Sequence, residues 1–158
     1  MKSNFKLNGE EFKEIYSKVP RLCVELVIEN KDGVLMTKRA LESWFGLWHL
    51  PGGTVLYGET IKDAAKRIAK EELGAKIGIK GLVGFAEYQN EEKIRGFGFS
   101  VGLMLLCSLL SLDIKLDSQA SEYKFFKILP KEAIPEHKHF LEGFLGQDCD
   151  DPGCKEHP

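Results

Sequence analysis

The chain has no excess charge of one sign, no apolar run long enough to cross a bilayer, and few cysteines. Its 22 basic residues are offset by 24 acidic ones, for a net charge of −2. That balance leaves no electrostatic footprint for nucleic acid, so an anionic ligand must be neutralised locally by a metal ion, placed arginines, or both. The most apolar stretch, residues 101–112, contains Gly102, Cys107, Ser108 and Ser111 and is too short for a membrane span. The opening residues, MKSNFKLNGEEFKEIY, lack the apolar segment of a signal peptide, so a cytoplasmic location is expected. Cys23 and Cys107 lie in apolar runs and read as small core residues. Cys149 and Cys154 lie near His157 in the tail GQDCDDPGCKEHP, with a spacing that matches no standard zinc or disulfide site.

What is present describes one globular domain: 158 residues, 43% hydrophobic and 29% charged, with no repeat, linker or charge block. Residues 1–146 are assigned to that domain and 147–158 to a polar tail. Residues 10–18 predict a short helix ended by Val19-Pro20. Residues 21–29 (RLCVELVIE) predict a buried strand, the turn Asn30-Lys31-Asp32-Gly33 follows, and residues 34–38 return as the second arm of a hairpin. Pro51-Gly52-Gly53 is expected to break regular structure. Residues 60–73 carry the clearest helix signal: Thr60 as cap, Asp63 at the reciprocal position, Gly74 after the last turn, and a stripe of Ile61, Ala64, Ala65, Ile68, Ala69 and Leu73. Strands are expected at 77–80, 83–88, 97–107 and 123–128, and a closing helix at 137–144. Strands on both sides of a central helix predict an α/β (α+β) fold with a mixed β-sheet sandwiched between helices.

Gly53, Glu59, Arg67, Glu71, Glu72 and Gly74 stand in the order G-x5-E-x7-R-x-x-x-E-E-x-G. A glycine loop lets backbone carbonyls approach a metal because no Cβ intervenes. The helix then offers Glu71 and Glu72 within one turn, hard oxygen ligands suited to Mg2+ or Mn2+. A solvated acidic face and a plain Arg67–Glu71 surface pair are the bland alternatives. The agreement of six positions after a Gly-Gly loop argues against them. This pattern resembles the Nudix box, G-x5-E-x7-R-E-U-x-E-E-x-G-U. The resemblance implies metal-assisted hydrolysis of a nucleoside diphosphate derivative, with Arg67 bridging to Glu59 so that Gly53, Glu59, Arg67 and Gly74 support the motif.

One position departs from the box: Ile68 stands where a glutamate follows the arginine. Residue 68 lies one turn before Glu71 and Glu72, so the absent carboxylate would have faced them. The GDP-mannose mannosyl hydrolases, which attack carbon rather than phosphorus, also carry an aliphatic residue here. The stretches 24–30, Lys38-Arg39 and Trp48-His49-Leu50-Pro51-Gly52-Gly53 resemble that branch. The resemblance implies that the Gly52 carbonyl, Glu72 and Gln119 bind the metal along with Glu71, that Arg39 contacts the diphosphate, and that Glu25 sits near the nucleotide or sugar. The branch's late Gln-His pair reads Gln119-Ala120 here, and its arginine after Gly53 reads Thr54. Ala120 can move no proton, so Glu122 and Asp117 become the candidate bases, each equally a surface acid.

His49 reads as a packed strand residue, and His137 and His139 as members of a solvated helix face. Trp44, Phe45 and Tyr88 are candidates for stacking a base, with packing as the alternative, and Arg95 for reaching a phosphate from a loop. The catalytic candidates are therefore Glu72, Glu71 and Glu122. The ligand is expected to be a small nucleoside diphosphate derivative such as a nucleotide sugar, with no nucleic acid or membrane partner; a homodimer is compatible with the resemblance. Two other readings stay open: a catalytically weak nucleotide or nucleotide-sugar sensor, and a conventional pyrophosphohydrolase using a late-loop carboxylate.

Overall fold

The computed structural model describes residues 6–111 and 113–146. The tail with Cys149, Cys154 and His157 lies outside them. Helix α1 (Gly9–Tyr16) precedes β1 (Arg21–Asn30) and β2 (Gly33–Arg39), which form the expected hairpin. Short strands β3 (Trp48–His49) and β4 (Gly52–Thr54) lead into α2 (Ile61–Leu73). Then come β5 (Ile77–Tyr88), α3 (Glu91–Arg95), β6 (Ser100–Leu109), β7 (Ala120–Phe126) and α4 (Pro135–Leu145).

The sheet order is β3-β2-β1-β6-β5, with β4 also paired to β1 and β7 to β2. β1 runs parallel to β6, from Arg21 opposite Ser100 to Ile28 opposite Cys107, while its partner strands β2 and β4 are antiparallel. A parallel pair needs a crossover, and α2 with β5 supplies it. The fold is thus α+β, a mixed sheet with helices on its two faces.

The side-chain alternation of β1 divides the molecule. Val24, Leu26 and Ile28 join the core under α2, where Ala64, Ala65, Ile68, Ala69 and Leu73 are buried. Val27 faces the other way, into a second core with Met36, Trp48, Leu50, Met104 and Leu141 of α4. Three alanines on α2 let the helix lie close on the sheet. Its ends match the sequence reading: the Thr60 hydroxyl accepts from Asp63 N–H at 3.1 Å, and Gly74 closes the helix at φ 60°.

Several expectations change. Residues 52–54 are not free of regular structure, because they pair with β1 through Glu25–Gly52, Val24–Gly53 and Cys23–Thr54. Glycines, having no side chain to place, accept this close pairing beside Pro51. β5 is one strand of 12 residues, not two. Register shifts at Gly81 and Gly84 absorb the extra residues that made the sequence look interrupted. α3 was not expected, and β6 begins at Ser100 because α3 and its closing turn occupy the chain before it. Cys23 and Cys107 are buried and free, as core residues.

Candidate active site

The loop before α2 is tied down by Arg67. Its Nε donates to Glu59 Oε1 at 2.6 Å and its Nη2 to Glu59 Oε2 at 3.0 Å and to the Thr54 carbonyl at 2.8 Å. Nη1 donates to Glu71 at 3.1 Å, and Glu59 also accepts from Leu56 N–H at 3.0 Å. One guanidinium therefore holds loop, turn and helix in fixed relation. The Arg67 hydrogen bonds hold the Glu59 carboxyl below its ordinary range.

Gly52 lies between two carboxylates. Its N–H donates to Glu72 Oε2 at 3.3 Å. A Cβ on Gly52 would come within 1.7 Å of Glu25 Oε2, so only glycine fits beside that side chain. Burial pushes Glu72 up to about 8, with the Asp117 carboxylate adding to the rise. Burial likewise pushes Glu25 up to about 8, against the opposing Tyr88 hydrogen bond. A cation between two such carboxylates reverses that tendency by favouring their charged forms. The donors are hard oxygens and fit magnesium. Among the described residues no three His, Cys, Asp or Glu side chains converge on a metal position, so the ion would keep much of its shell as water and phosphate.

Behind Glu25 runs a buried hydrogen-bond chain whose direction follows from its first donor. Leu50 N–H can only donate, and it donates to His137 Nδ1 at 2.9 Å. The neutral ring then carries its proton on Nε2 and gives it to the Tyr88 hydroxyl in a short contact. Tyr88 in turn donates to Glu25 Oε1 at 3.0 Å. Burial holds His137 well below the ordinary histidine range and His49 down to about 3, so both are neutral. His137 Nε2 also lies 3.8 Å from Glu25 Oε2, but a neutral ring makes no ion pair. His49 meets Thr37 Oγ1 at 3.1 Å and stacks on His137. The reading of His137 as solvated is thus corrected: it faces the second core and turns its ring under β1, whereas His139 is exposed.

These groups border a cavity of about 550 Å3, in the range of small-molecule sites. Gly52, Gly53, Glu25, Arg39, Arg67, Glu71, Glu72 and Gln119 all line it. Glu71 is already paired with Arg67 and with Lys6 at 3.0 Å, and Gln119 Nε2 donates to Asp117 at 2.9 Å. Arg39 is anchored on the Ser43 carbonyl at 2.9 Å. Glu122 is not brought to the cavity; it projects from β7, 55% exposed and 3.9 Å from Lys38. Ile68 is 1% exposed and packs under Gly53, making the floor apolar where the box would place a carboxylate. Trp44 lines the cavity with its backbone at φ 63°, a strained conformation for a bulky residue, while Phe45 is exposed.

The model of the NUDIX domain matches residues 19–143. The chain belongs to the Nudix family. Over 130 residues it is 33% identical to the low-salt glycan biosynthesis protein Agl8 of Haloferax volcanii, covering 80% of this chain and 83% of that protein. Over 128 residues it is 28% identical to the ADP-ribose pyrophosphatase of Methanocaldococcus jannaschii, covering 80% of this chain and 73% of that one. In fold it is similar to the MutT NUDIX hydrolase from Burkholderia pseudomallei, with TM-score 0.70 and 23% identity over 78% of this chain and 97% of the other. The protein is a Nudix hydrolase.

The cavity of this Nudix domain also uses residues that the motif does not announce. Phe12, Ile15 and Tyr16 of α1 form part of its wall, and α1 buries no residue in the core. Arg21 donates to the Thr54 hydroxyl at 3.3 Å, so a guanidinium reaches from β1 the start of the loop before α2. The alternation of Arg21, Cys23 and Glu25 along β1 was the available signal, since odd positions share a face. For His137, the apolar helical spacing to Leu141 was the signal.

Proposed function

We propose that this Nudix hydrolase uses Mg2+ or Mn2+ to hydrolyse a nucleoside diphosphate linked to another group, nucleotide sugars included, and that it works in the cytoplasm. One observation carries the reading. The carboxylates of Glu72 and Glu25 flank Gly52 within a cavity whose walls also bear Arg21, Arg39, Arg67 and Arg95. An acidic position for a metal thus adjoins a basic lining for phosphates, which the near-neutral chain cannot supply in bulk. Glu72 and the Gly52 carbonyl would hold the ion, with Glu71 and Gln119 close by. Bound there, magnesium polarises a phosphoryl oxygen and lowers the pKa of water. Arg39 neutralises the diphosphate, Arg67 keeps the loop in place, and the Tyr88 hydroxyl fixes the Glu25 carboxylate. The relative named an ADP-ribose pyrophosphatase carries a substrate of this class in its name.

A sensor reading is favoured by three positions. Ile68 lies in the core, Ala120 has no proton acceptor, and Glu122 lies off the cavity. One experiment separates the readings: nucleoside triphosphates, dinucleotides and nucleotide sugars incubated with Mg2+ or Mn2+ and analysed for products. The enzyme reading expects a nucleotide product from at least one compound, lost on chelation. Tight binding of a compound with no turnover of any would overturn it. Solvent water labelled with 18O then shows whether carbon or phosphorus is attacked.

A further inference from the structure

Two arginines in the cavity wall are more than a metal and one diphosphate require. Arg21 opens β1, and Arg95 closes α3. Both converge on one carboxylate: Arg21 Nη2 lies 2.7 Å from Glu91 Oε1, and Arg95 Nε lies 3.5 Å from the same oxygen. The second Glu91 oxygen accepts a short hydrogen bond from the Ser100 hydroxyl. The side chains of Arg21, Arg95 and Glu91 are 15%, 22% and 5% exposed, so the carboxylate they share as ion-pair partner serves two guanidiniums away from bulk water. Surplus charge in such a place is costly until a counter-charge joins it.

The two guanidiniums also differ in how they are held. Arg21 donates through Nε to Ser100 Oγ at 2.9 Å and through Nη1 to Thr54 Oγ1 at 3.3 Å, and it lies 5.4 Å over the Phe12 ring. It is positioned in advance of any ligand. Arg95 Nε, by contrast, is buried and makes no hydrogen bond. A guanidinium with five donors is well suited to grip planar carboxylate or phosphate oxygens.

The position of this pair along the cavity follows from β1. Arg21 and Glu25 share one strand face at i and i+4, about 13 Å apart at Cα. Glu25 adjoins Gly52 and Glu72, so the arginine pair lies beyond the metal position, toward α3. We propose that Arg21 and Arg95, joined by Glu91, form a second anion subsite that takes a phosphate or carboxylate carried by the substrate in addition to its diphosphate. This rests on the nucleoside diphosphate reading above and narrows it to substrates bearing a further negative group.

The test compares matched ligands by calorimetry, with Ca2+ replacing Mg2+ to slow turnover. One pair is a nucleoside diphosphate hexose and the same compound with a hexuronic acid; the other is a nucleoside diphosphate and its triphosphate. The wild-type chain is expected to prefer the anionic member of at least one pair by about tenfold or more, the scale of one charge-assisted hydrogen bond. The responding pair identifies carboxylate or phosphate as the source. Arg95→Met should bring that ratio close to one, and Arg95→Lys should restore part of it. A role confined to bracing α3 would weaken both members alike and leave the ratio intact, which would overturn the subsite. So would a wild-type ratio near one in both pairs. Turnover of the same compounds with Mg2+ judges the enzyme reading separately: hydrolysis without anion preference removes only the subsite, and binding of none removes both.

Discussion

The loop around Arg67, beside the cavity, and the chain behind Glu25, within it, are two ways of holding a carboxylate. Arg67 binds Glu59 through charge, by two short hydrogen bonds, with partners drawn from residues 54–71. The Glu25 chain is made of neutral groups, Leu50 N–H, His137 and Tyr88, brought from three distant parts of the sequence. The first arrangement is a local brace with one guanidinium at its centre. The second is a directed relay of donors, in which each group needs the one before it to fix its proton. Charge makes the brace strong but dependent on one residue, whereas the relay spreads smaller contributions over several.

The largest test of this contrast is Arg67→Met. It leaves the half-buried Glu59 carboxylate without its counter-ion, and a loss of about 3 kcal/mol in urea denaturation is expected, the scale of hydrogen bonds to a charged group. A loss below 1 kcal/mol would show that the brace is only a surface pair. Glu72→Gln should keep the fold and lower metal-dependent turnover by about 100-fold or more, roughly 2.7 kcal/mol in the barrier. Activity near wild type would remove Glu72 from the metal position.

Tyr88→Phe removes the middle of the relay and leaves a donor on His137 and an acceptor on Glu25 unsatisfied. Stability should fall by about 1–3 kcal/mol, while Tyr57→Phe, which removes the same hydroxyl at a position 86% exposed, should change it by less than about 0.5 kcal/mol. Equal effects of the two would break the comparison. The smallest effect concerns pH. Burial lowers His49 to about 3 and His137 well below its ordinary value, so both fold as neutral rings. Their contribution is complete above the unfolded histidine pKa of about 6.5 and is lost as pH falls below it, by up to roughly 1.4 kcal/mol per pH unit for each ring. Glu25 and Glu72, raised to about 8, add stability as pH falls over the same range, so the ring is read by difference: the melting-temperature advantage of wild type over His49→Asn should shrink between about pH 6.5 and pH 5. An unchanged advantage would place the acid sensitivity elsewhere.

The same division separates what could be read from the chain alone. α2 was legible to the residue at its caps because Thr60 and Gly74 act on backbone groups within a turn of themselves, while the Asp63 carboxylate accepts from the Thr60 hydroxyl at 2.9 Å. The β1–β2 hairpin was legible because Asn30 to Gly33 is a local turn. The bridging of Glu59 by Arg67 was implied by the resemblance to the Nudix box, and both partners lie on α2 and the loop before it. β4 and the continuity of β5 were not legible, since each depends on a partner strand or on bulges that only sheet pairing creates, and α3 is five residues long with no side-chain cap hydrogen bond to announce it. Glu91, Ser100 and Arg21 meet only because β1 lies parallel to β6.

The sequence by itself therefore determined the Nudix loop and helix, with Gly53, Glu59, Arg67, Glu71, Glu72 and Gly74 in register. Such local patterns are set by helical period and capping, which need no distant contact. Tertiary structure alone decided that His137 is buried, that Glu25 rather than residue 68 brings the second carboxylate to Gly52, and that Glu122 stays outside. Those outcomes depend on which strand face and which helix stripe meet across the sheet. That choice is made by burial of the two cores and not by any residue's immediate neighbours.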